Sequence, residues 1–313
     1  MIRYRAGDVN LDFGSHRGYT IQKWLLHRRT AMFCEQTGCA VRHEIYFLLI
    51  DTPVNAYIVG MSDNSRTLPD RIVFIADAHL TKQDNDSERG RRLTTFLRRL
   101  RGRVSHLYIV GDLFDFWFEY SSVIPNTAPR VVFELYNLVQ SGTKVVLFAG
   151  NHDYWLGPYL SREVGLDIEL DSRTVTHQGL NLFLHHGDGI YPDDHGYRFL
   201  KKVLRNPLAI SLFRLIHPDC AFWLARNTSK TSRNYLAPPG FDDKNRESFR
   251  KAGDAHLARG CDAVIFGHAH IPLIERRPGG SLIMLGDWIE HYSYILLEDG
   301  QFTLHSWEQE QAI

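Results

Sequence analysis

The sequence predicts an α/β protein built on parallel strands, and three observations carry that reading. First, five short apolar runs end abruptly in Asp, Asn or His, mostly beside Gly. Ile72 to Ala76 runs into Asp77-Ala78-His79, and Leu107 to Val110 into Gly111-Asp112. Val145 to Ala149 runs into Gly150-Asn151-His152-Asp153, Leu182 to Leu184 into His185-His186-Gly187-Asp188, and Ala263 to Phe266 into Gly267-His268-Ala269-His270. Runs that are apolar almost throughout belong to strands covered on both faces. Second, the first three runs are separated by segments of helical period. Third, the resulting β-α-β-α-β order calls for crossover connections and hence a parallel sheet.

Taken in order, residues 1–60 carry scattered His, Arg, Cys and Trp, with strand-like character only at Ile45 to Ile50 and Ala56 to Val59. Arg71 to Ala76 is the first buried strand. Asp84 to Ser87 offers helix caps, and Leu93, Phe96, Leu97 and Leu100 then fall at i, i+3, i+4 and i+7, with Gly102 as terminator. Arg91, Arg92, Arg98, Arg99 and Arg101 are expected on its solvated side. Val104 to Val110 is the next strand, followed by the dense aromatic run Leu113 to Phe118. Pro129 starts a second helix that Gly142 ends, and Lys144 to Ala149 is the third strand. Asp167 to Leu184 alternates and turns at Gly179-Leu180-Asn181, as a hairpin does. Residues 189–240 break the α/β pattern with apolar clusters at helical spacing, among them Leu200, Val203, Leu204, Leu212, Phe213, Trp223 and Leu224, punctuated by Pro207 and Pro218. They read as a helical insertion. Phe241 to Gly260 is one more helix, Ala263 to Phe266 a strand, and Leu282 to Leu285, Tyr294 to Leu297 and Phe302 to Trp307 a closing meander.

Composition sets outer limits. Apolar residues are 44% and charged residues 23% of 313, ordinary for a soluble globular chain. The formal net charge is zero, so no global charge argues for nucleic acid. The four cysteines show no disulfide framework and no paired zinc spacing, which suits reduced thiols in a cytoplasmic protein. No apolar run approaches the roughly 20 residues that span a bilayer.

The strand ends supply the chemistry. Asp77, His79, Asp112, Asn151, His186, His268 and His270 are oxygen and nitrogen donors suited to two divalent cations, Mn²⁺ by preference, with Fe²⁺ or Zn²⁺ as alternatives. Two such ions about 3.5–4 Å apart share a carboxylate, acidify the attacking water and neutralise charge building on a phosphoryl group. Asp112, on a central strand, is the expected shared ligand. Asn151 adds a neutral oxygen. His152 is placed to protonate a leaving oxygen or hold the phosphoryl group, and Asp153 is expected to orient His152.

These motifs, Asp-x-His, Gly-Asp, Gly-Asn-His-Asp, His-Gly-Asp and Gly-His-x-His in this order, resemble the calcineurin-like metallophosphoesterase superfamily over roughly Ile72 to Asp287. The resemblance implies a four-layer α-β-β-α sandwich. Within it the chain is similar to the UDP-2,3-diacylglucosamine hydrolase group of lipid A biosynthesis, through Gly111-Asp112-Leu113-Phe114-Asp115-Phe116-Trp117, through His186-Gly187-Asp188 followed by Asp193 to Phe199, and through Arg226-Asn227-Thr228-Ser229-Lys230. That likeness implies a nucleotide-lipid substrate, approached from the cytosolic face of the inner membrane as a peripheral protein, with Asp194, Tyr197, Ser229 and Lys230 holding the glucosamine diphosphate. It also implies that the insertion, at 195–240, supplies an apolar trench. His152 is a departure, since that group commonly has Arg there. A soluble phosphatase or phosphodiesterase of nucleotides, and a non-catalytic membrane-associated scaffold, are the other readings. The domain proper is expected at 69–313. Residues 1–68 are expected to be an extension, non-native or poorly ordered, with Met61 as the natural start.

Overall fold

The computed structural model describes residues 8–10, 25–27, 68–191, 201–235 and 241–307, with side chains from 68 onward except 226, 228–235 and 241–245. The chain divides into two compact units, Met1–Ser65 and Arg66–Ile313. In the first, β1 (Asp8–Asn10) pairs antiparallel with β2 (Leu25–His27), a ladder that the scattered composition there does not announce. The strands expected at Ile45 to Ile50 and Ala56 to Val59 lie outside the described residues.

The second unit holds two sheets. The strands β3 (Ile72–Ile75), β4 (His106–Val110), β5 (Lys144–Phe148) and β6 (Asp167–Glu169) run parallel in sequence order. Antiparallel β12 (Ser293–Glu298) and β13 (Gln301–Ser306) extend that sheet beyond β3. The other sheet has the order β10 (Pro272–Arg277), β11 (Gly280–Leu285), β9 (Ala263–Phe266), β8 (Leu180–His185), β7 (Ser172–His177), with β9 parallel to both neighbours and hairpins at each edge. The closing meander is therefore not continuous. β11 joins β9 in one sheet while β12 joins β3 in the other, so the chain crosses between sheets over residues 286–292. Sequence spacing cannot report which sheet a strand joins, because pairing partners are remote in the chain.

The two-residue period of each strand divides its side chains between layers. Ile72 and Phe74 point between the sheets, with Val110, Val146, Leu182, Leu184, Ile265 and Ile283, all buried. Val73 and Ile75 point the other way, into Leu93, Phe96 and Leu97 of α1 (Glu88–Leu100) and Val131, Leu135 and Leu138 of α2 (Pro129–Gln140). Phe249 and Leu257 of α5 (Phe241–Leu257) cover Val264, Phe266, Leu282 and Met284 on the far sheet. The result is the four-layer α-β-β-α sandwich.

Local signals explain the helix ends. Ser87 caps α1 by accepting from the Gly90 amide at 3.0 Å, and Pro129 occupies the first turn of α2. The arginines of α1 are more engaged than a solvated face requires. Arg98 and Arg101 both pair with Glu134, a buried carboxylate on α2, which couples the two helices. Arg92 lies over the Tyr292 ring at 4.6 Å and Arg99 over Trp307 at 5.0 Å. β10 is an edge strand whose later residues are charged, with Glu275 paired to Arg250 and Arg277 to Asp254 of α5. Such charge hides an edge strand from hydrophobic patterning and blunts it against aggregation.

At the start of β4, remote from the strand ends described below, His106, Tyr108 and His177 form a cluster that joins the two sheets. The Tyr108 hydroxyl lies 2.7 Å from His177 Nε2, and the His106 and His177 rings meet edge to face at 4.5 Å. Burial, helped by His177 and Lys144, pushes His106 down from 6.5 to about 4. The unfolded chain therefore takes up this proton first as pH falls. Stability from His106 is full above pH 6.5 and is lost on acidification toward about 4. His106→Asn should flatten that part of the stability–pH curve, measured by urea denaturation at closely spaced pH. An unchanged acid limb would show that His106 does not titrate between the two states.

Candidate metal centre

The expected donors converge at the carboxyl ends of β3, β4, β5, β8 and β9, the usual crevice of an α/β sheet. Asp77 and Asp112 are both buried, at 0% and 1% exposure. Around Asp77 lie His270, with Nε2 3.4 Å from Asp77 Oδ1, and His79, with Nε2 3.8 Å from the same oxygen. The two ring nitrogens are 3.3 Å apart. Around Asp112 lie His186, with Nε2 3.3 Å from Oδ2, and His268, whose ring stands edge-on to that of His186 at 5.1 Å. Asn151 Oδ1 lies 3.1 Å from His186 Nε2. Asp112 Oδ2 is also 3.6 Å from His79 Nε2, so one carboxylate oxygen faces both groups. That is the geometry expected of a shared ligand.

The strands deliver these side chains through strained turns. Asp77, His79, Asp112, His268 and His270 all have positive φ, between 42° and 63°, a region that costs a non-glycine residue on the order of 1–3 kcal/mol. Five such residues at one place persist only where surrounding contacts over-determine them. The Asp77 carboxylate accepts the His268 amide at 2.8 Å, which ties one sheet to the other, and Asp112 accepts the His152 amide at 2.8 Å. Gly150 is required by close approach: a Cβ there would collide with the Asp112 carboxylate.

The donor set fits cations. Asp77 Oδ1 is buried without a hydrogen-bond partner, which a charged oxygen tolerates only beside positive charge. His186 Nδ1 lies 2.9 Å from the Val110 carbonyl, an acceptor only, so Nδ1 carries a proton and Nε2 is the nitrogen turned to the cluster, free to coordinate once its own proton leaves. Burial pulls His79 and His186 down, but the neighbouring carboxylates, Asp115 foremost for His79 and Asp112 for His186, outweigh it and push each to about 10. Asp112 is held well below the usual carboxylate range: burial opposes this, and His186 and His152 overcome it. Burial, with the His186 charge, pushes His268 down to about 4. Without cations the histidines supply the positive charge that the two acids need; cations would take their place.

One expected role is overturned. Asp153 does not face His152. Its fully buried carboxylate accepts the amides of Gly150 at 2.8 Å, Phe114 at 3.1 Å and Asp112 at 3.3 Å, and so pins the two loops that carry Asp112 and Asn151. Burial and the charge on Asp112 push it up to about 7 while the amides pull the other way. The carboxylate beside His152 is Asp115, whose Oδ1 is 3.5 Å from His152 Nδ1 and 3.8 Å from His79 Nδ1. The dense aromatic run at 113–118 masks this acid, whose signal in the sequence is its place three residues after Asp112. Asp287 is a second acid outside the expected set. It accepts the amides of Ile289 and Glu290, holds His291 Nδ1 at 2.6 Å, and lies 3.8 Å from His270 Nδ1.

Asp194 and Tyr197 lie outside the described residues. Ser229 and Lys230 belong to α4 (Pro218–Tyr235), but their side chains are likewise outside them.

Comparison with known proteins follows the same outline. The calcineurin-like phosphoesterase family matches residues 70–272. The chain is 33% identical over 257 residues to a UDP-2,3-diacylglucosamine hydrolase of Porphyromonas gingivalis, which spans 76% of this chain and 98% of that protein. It is 28% identical over 247 residues to a protein of the same name from Pseudomonas putida, spanning 76% and 99%. To a Neisseria meningitidis protein of that name it is 30% identical over 235 residues, spanning 72% and 93%.

The reassignment of Asp153 is open to test. Asp153→Ala leaves three buried amides without an acceptor and should cost on the order of 3 kcal/mol or more. His152→Ala should stay within about 1 kcal/mol of the wild type. Urea denaturation of both variants measures this, and equal stability of the two would contradict it.

Proposed function

Because the chain belongs to the calcineurin-like phosphoesterase family and is a hydrolase, we propose that it cleaves the phosphoanhydride of UDP-2,3-diacylglucosamine, giving UMP and 2,3-diacylglucosamine 1-phosphate. The observation that carries the reading is Asp112 Oδ2, poised between the Asp77-His79-His270 group and the Asn151-His186-His268 group. Asp77, His79, His270 and Asp112 would hold one divalent cation, and Asp112, Asn151, His186 and His268 a second, with Mn²⁺ favoured. When bound, such a pair acidifies water and neutralises charge on a phosphoryl oxygen.

The protein groups then have definite tasks. With Nδ1 of His152 turned to the Asp115 carbonyl and carboxylate, Nε2 is the atom left for the substrate. Burial lowers the His152 pKa against the pull of Asp112, so the free ring is mostly neutral at pH 7. An arriving phosphoryl oxygen and the Asp115 carboxylate together favour its proton. The departing sugar phosphate is itself a weak base, with a second pKa near about 6, and gains little from a proton donor. His152 thus serves mainly to hold the phosphoryl group, the task for which the related hydrolases' Arg is also suited.

The insertion supports the lipid half. α3 (Pro207–Phe213) and the start of α4 form a bent apolar pair, neither helix long and apolar enough to cross a membrane alone. Phe213 and Phe222 pack onto Phe116 and Phe118 of the loop after Asp112. Leu208, Leu212, Leu215 and Trp223 face outward, Leu215 at 81% exposure. Lys201 pairs with the buried Asp188, and Trp155 Nε1 donates to the Leu204 carbonyl at 2.8 Å, which fastens the insertion beside the metal centre. An outward apolar face with the exposed Lys202 and Arg214 close to it in the chain suits the cytosolic face of an anionic membrane, where the acyl chains reside.

The deciding assay compares UDP-2,3-diacylglucosamine with bis-(4-nitrophenyl) phosphate and simple nucleotides in Mn²⁺. Turnover of nucleotides alone would move the substrate to the soluble class. Asp112→Ala should lose activity and both bound ions together, read by elemental analysis; two ions retained would end the dinuclear assignment. Leu212→Glu with Leu215→Glu should cut lipid-nucleotide turnover by about tenfold or more and abolish liposome flotation, with aryl ester hydrolysis kept. Equal loss of both activities would assign those residues to folding.

A further inference from the structure

We propose that β13 is an interface between two copies of this chain, which join edge to edge and antiparallel about a two-fold axis at Leu304. Such pairing is independent of the substrate. Among the described residues the two larger sheets end in four edge strands, and three of them are guarded. β6 is only three residues long and carries Asp167 and Glu169, both paired with Arg173 of β7, the second edge. β10 begins with Pro272 and carries Glu275, Arg276 and Arg277. Short length, charge and proline are the devices that keep an edge from pairing with another chain. β13 has none of them. Its six residues, Gln301 to Ser306, are uncharged and run in unbroken register along β12.

The hairpin fixes which backbone groups of β13 are free. Glu298 faces Gln301 across a two-residue turn, Asp299-Gly300, in which both residues have positive φ. Gln301, Thr303 and His305 therefore exchange their amides and carbonyls with β12, and those of Phe302, Leu304 and Ser306 point outward. An antiparallel copy centred on Leu304 sets Leu304 against Leu304 and Phe302 against Ser306, so every outward group meets a partner. The side chains agree. Leu304 lies opposite Ile295 and Phe302 opposite Leu297, both in the layer between the sheets. Phe302 packs on Phe74 there, ring centroids 6.4 Å apart, while Leu304 stands at the open margin of the layer, 40% exposed. A second copy would lay Leu304 on its own counterpart and close that margin with hydrocarbon. On the other face Thr303 Oγ1 lies 2.7 Å from His305 Nε2 and the His305 ring stacks on Tyr294, so these side chains find partners within the chain. A two-fold axis brings the residues beside it close to their own duplicates, so an edge that pairs with itself must be free of charge, as β13 is; a strand of another protein would impose no such condition. The two-fold also consumes the edge and stops growth at two copies.

Sedimentation velocity of the full-length protein over a dilution series tests this. The wild type should dimerise with a dissociation constant below about 100 µM. Leu304→Lys sets two charges against each other on the axis and should raise that constant at least about tenfold. Leu304→Pro should act likewise, because it removes an amide that the chain's own ladder does not use. Both variants should keep the wild-type circular dichroism and a cooperative urea transition, which separates a lost interface from a lost fold. Amide hydrogen exchange needs only the wild type and serves if a variant fails to fold: Phe302, Leu304 and Ser306 should be protected in concentrated protein and exchange on dilution. A wild type monomeric at about 100 µM, an assembly larger than a dimer, exchange at those amides unaltered by dilution, or a dimer that the folded variants leave as tight as before overturns the proposal.

Discussion

Two buried carboxylates govern this molecule. Asp77 and Asp112 lie at the ends of adjacent strands with almost no access to water. Ionised acids in such a place are tolerated only beside compensating positive charge and donors. The surroundings are arranged to supply both. The His268 amide reaches Asp77 from the other sheet, the His152 amide reaches Asp112, and the imidazoles of His79, His186 and His270 crowd the remaining oxygens. The same need for positive charge that keeps the fold consistent is what recommends the place to metal cations. Stability and chemistry thus draw on one electrostatic requirement.

That requirement explains the strain around it. Chains leaving five strand ends must turn within a residue or two to aim their donors at a common point, and several do so with positive φ. Distributed supports hold the strain. Asp153 locks the loops of Asp112 and Asn151 through three amides, Asp84 with Arg89 braces the loop behind His79, and Asp287 organises the crossing between the sheets near His270. None of these acids need touch a ligand to matter. A donor displaced by an ångström loses its function as surely as one removed.

The helical insertion has two unlike sides. Its inner side, through Phe213, Phe222 and the carbonyls of Leu204 and Ile216, is married to the loops that follow Asp112 and Asn151. Its outer side is apolar and open. An element anchored this way is tied to the loop that carries Asp115 and to the one that carries His152.

Much of this was legible in the chain. Apolar runs ending in Asp, Asn or His marked β3, β4, β5, β8 and β9, since burial on both faces leaves only the strand end for a ligand. Helical period marked α1 and α2, and the five runs end in the seven side chains that converge at one place. The sequence could not rank Asp153 against Asp115 as the partner of His152. Both are near in number, and only the turn after β5 decides that Asp153 faces inward to backbone amides while Asp115 arrives from the neighbouring strand. Nor could it place β11 and β12 in different sheets, or show β10, whose charges mask an edge strand. Local pattern records what each residue must be buried from. Which residues meet across the fold is a property of long-range pairing, and that is written only in three dimensions.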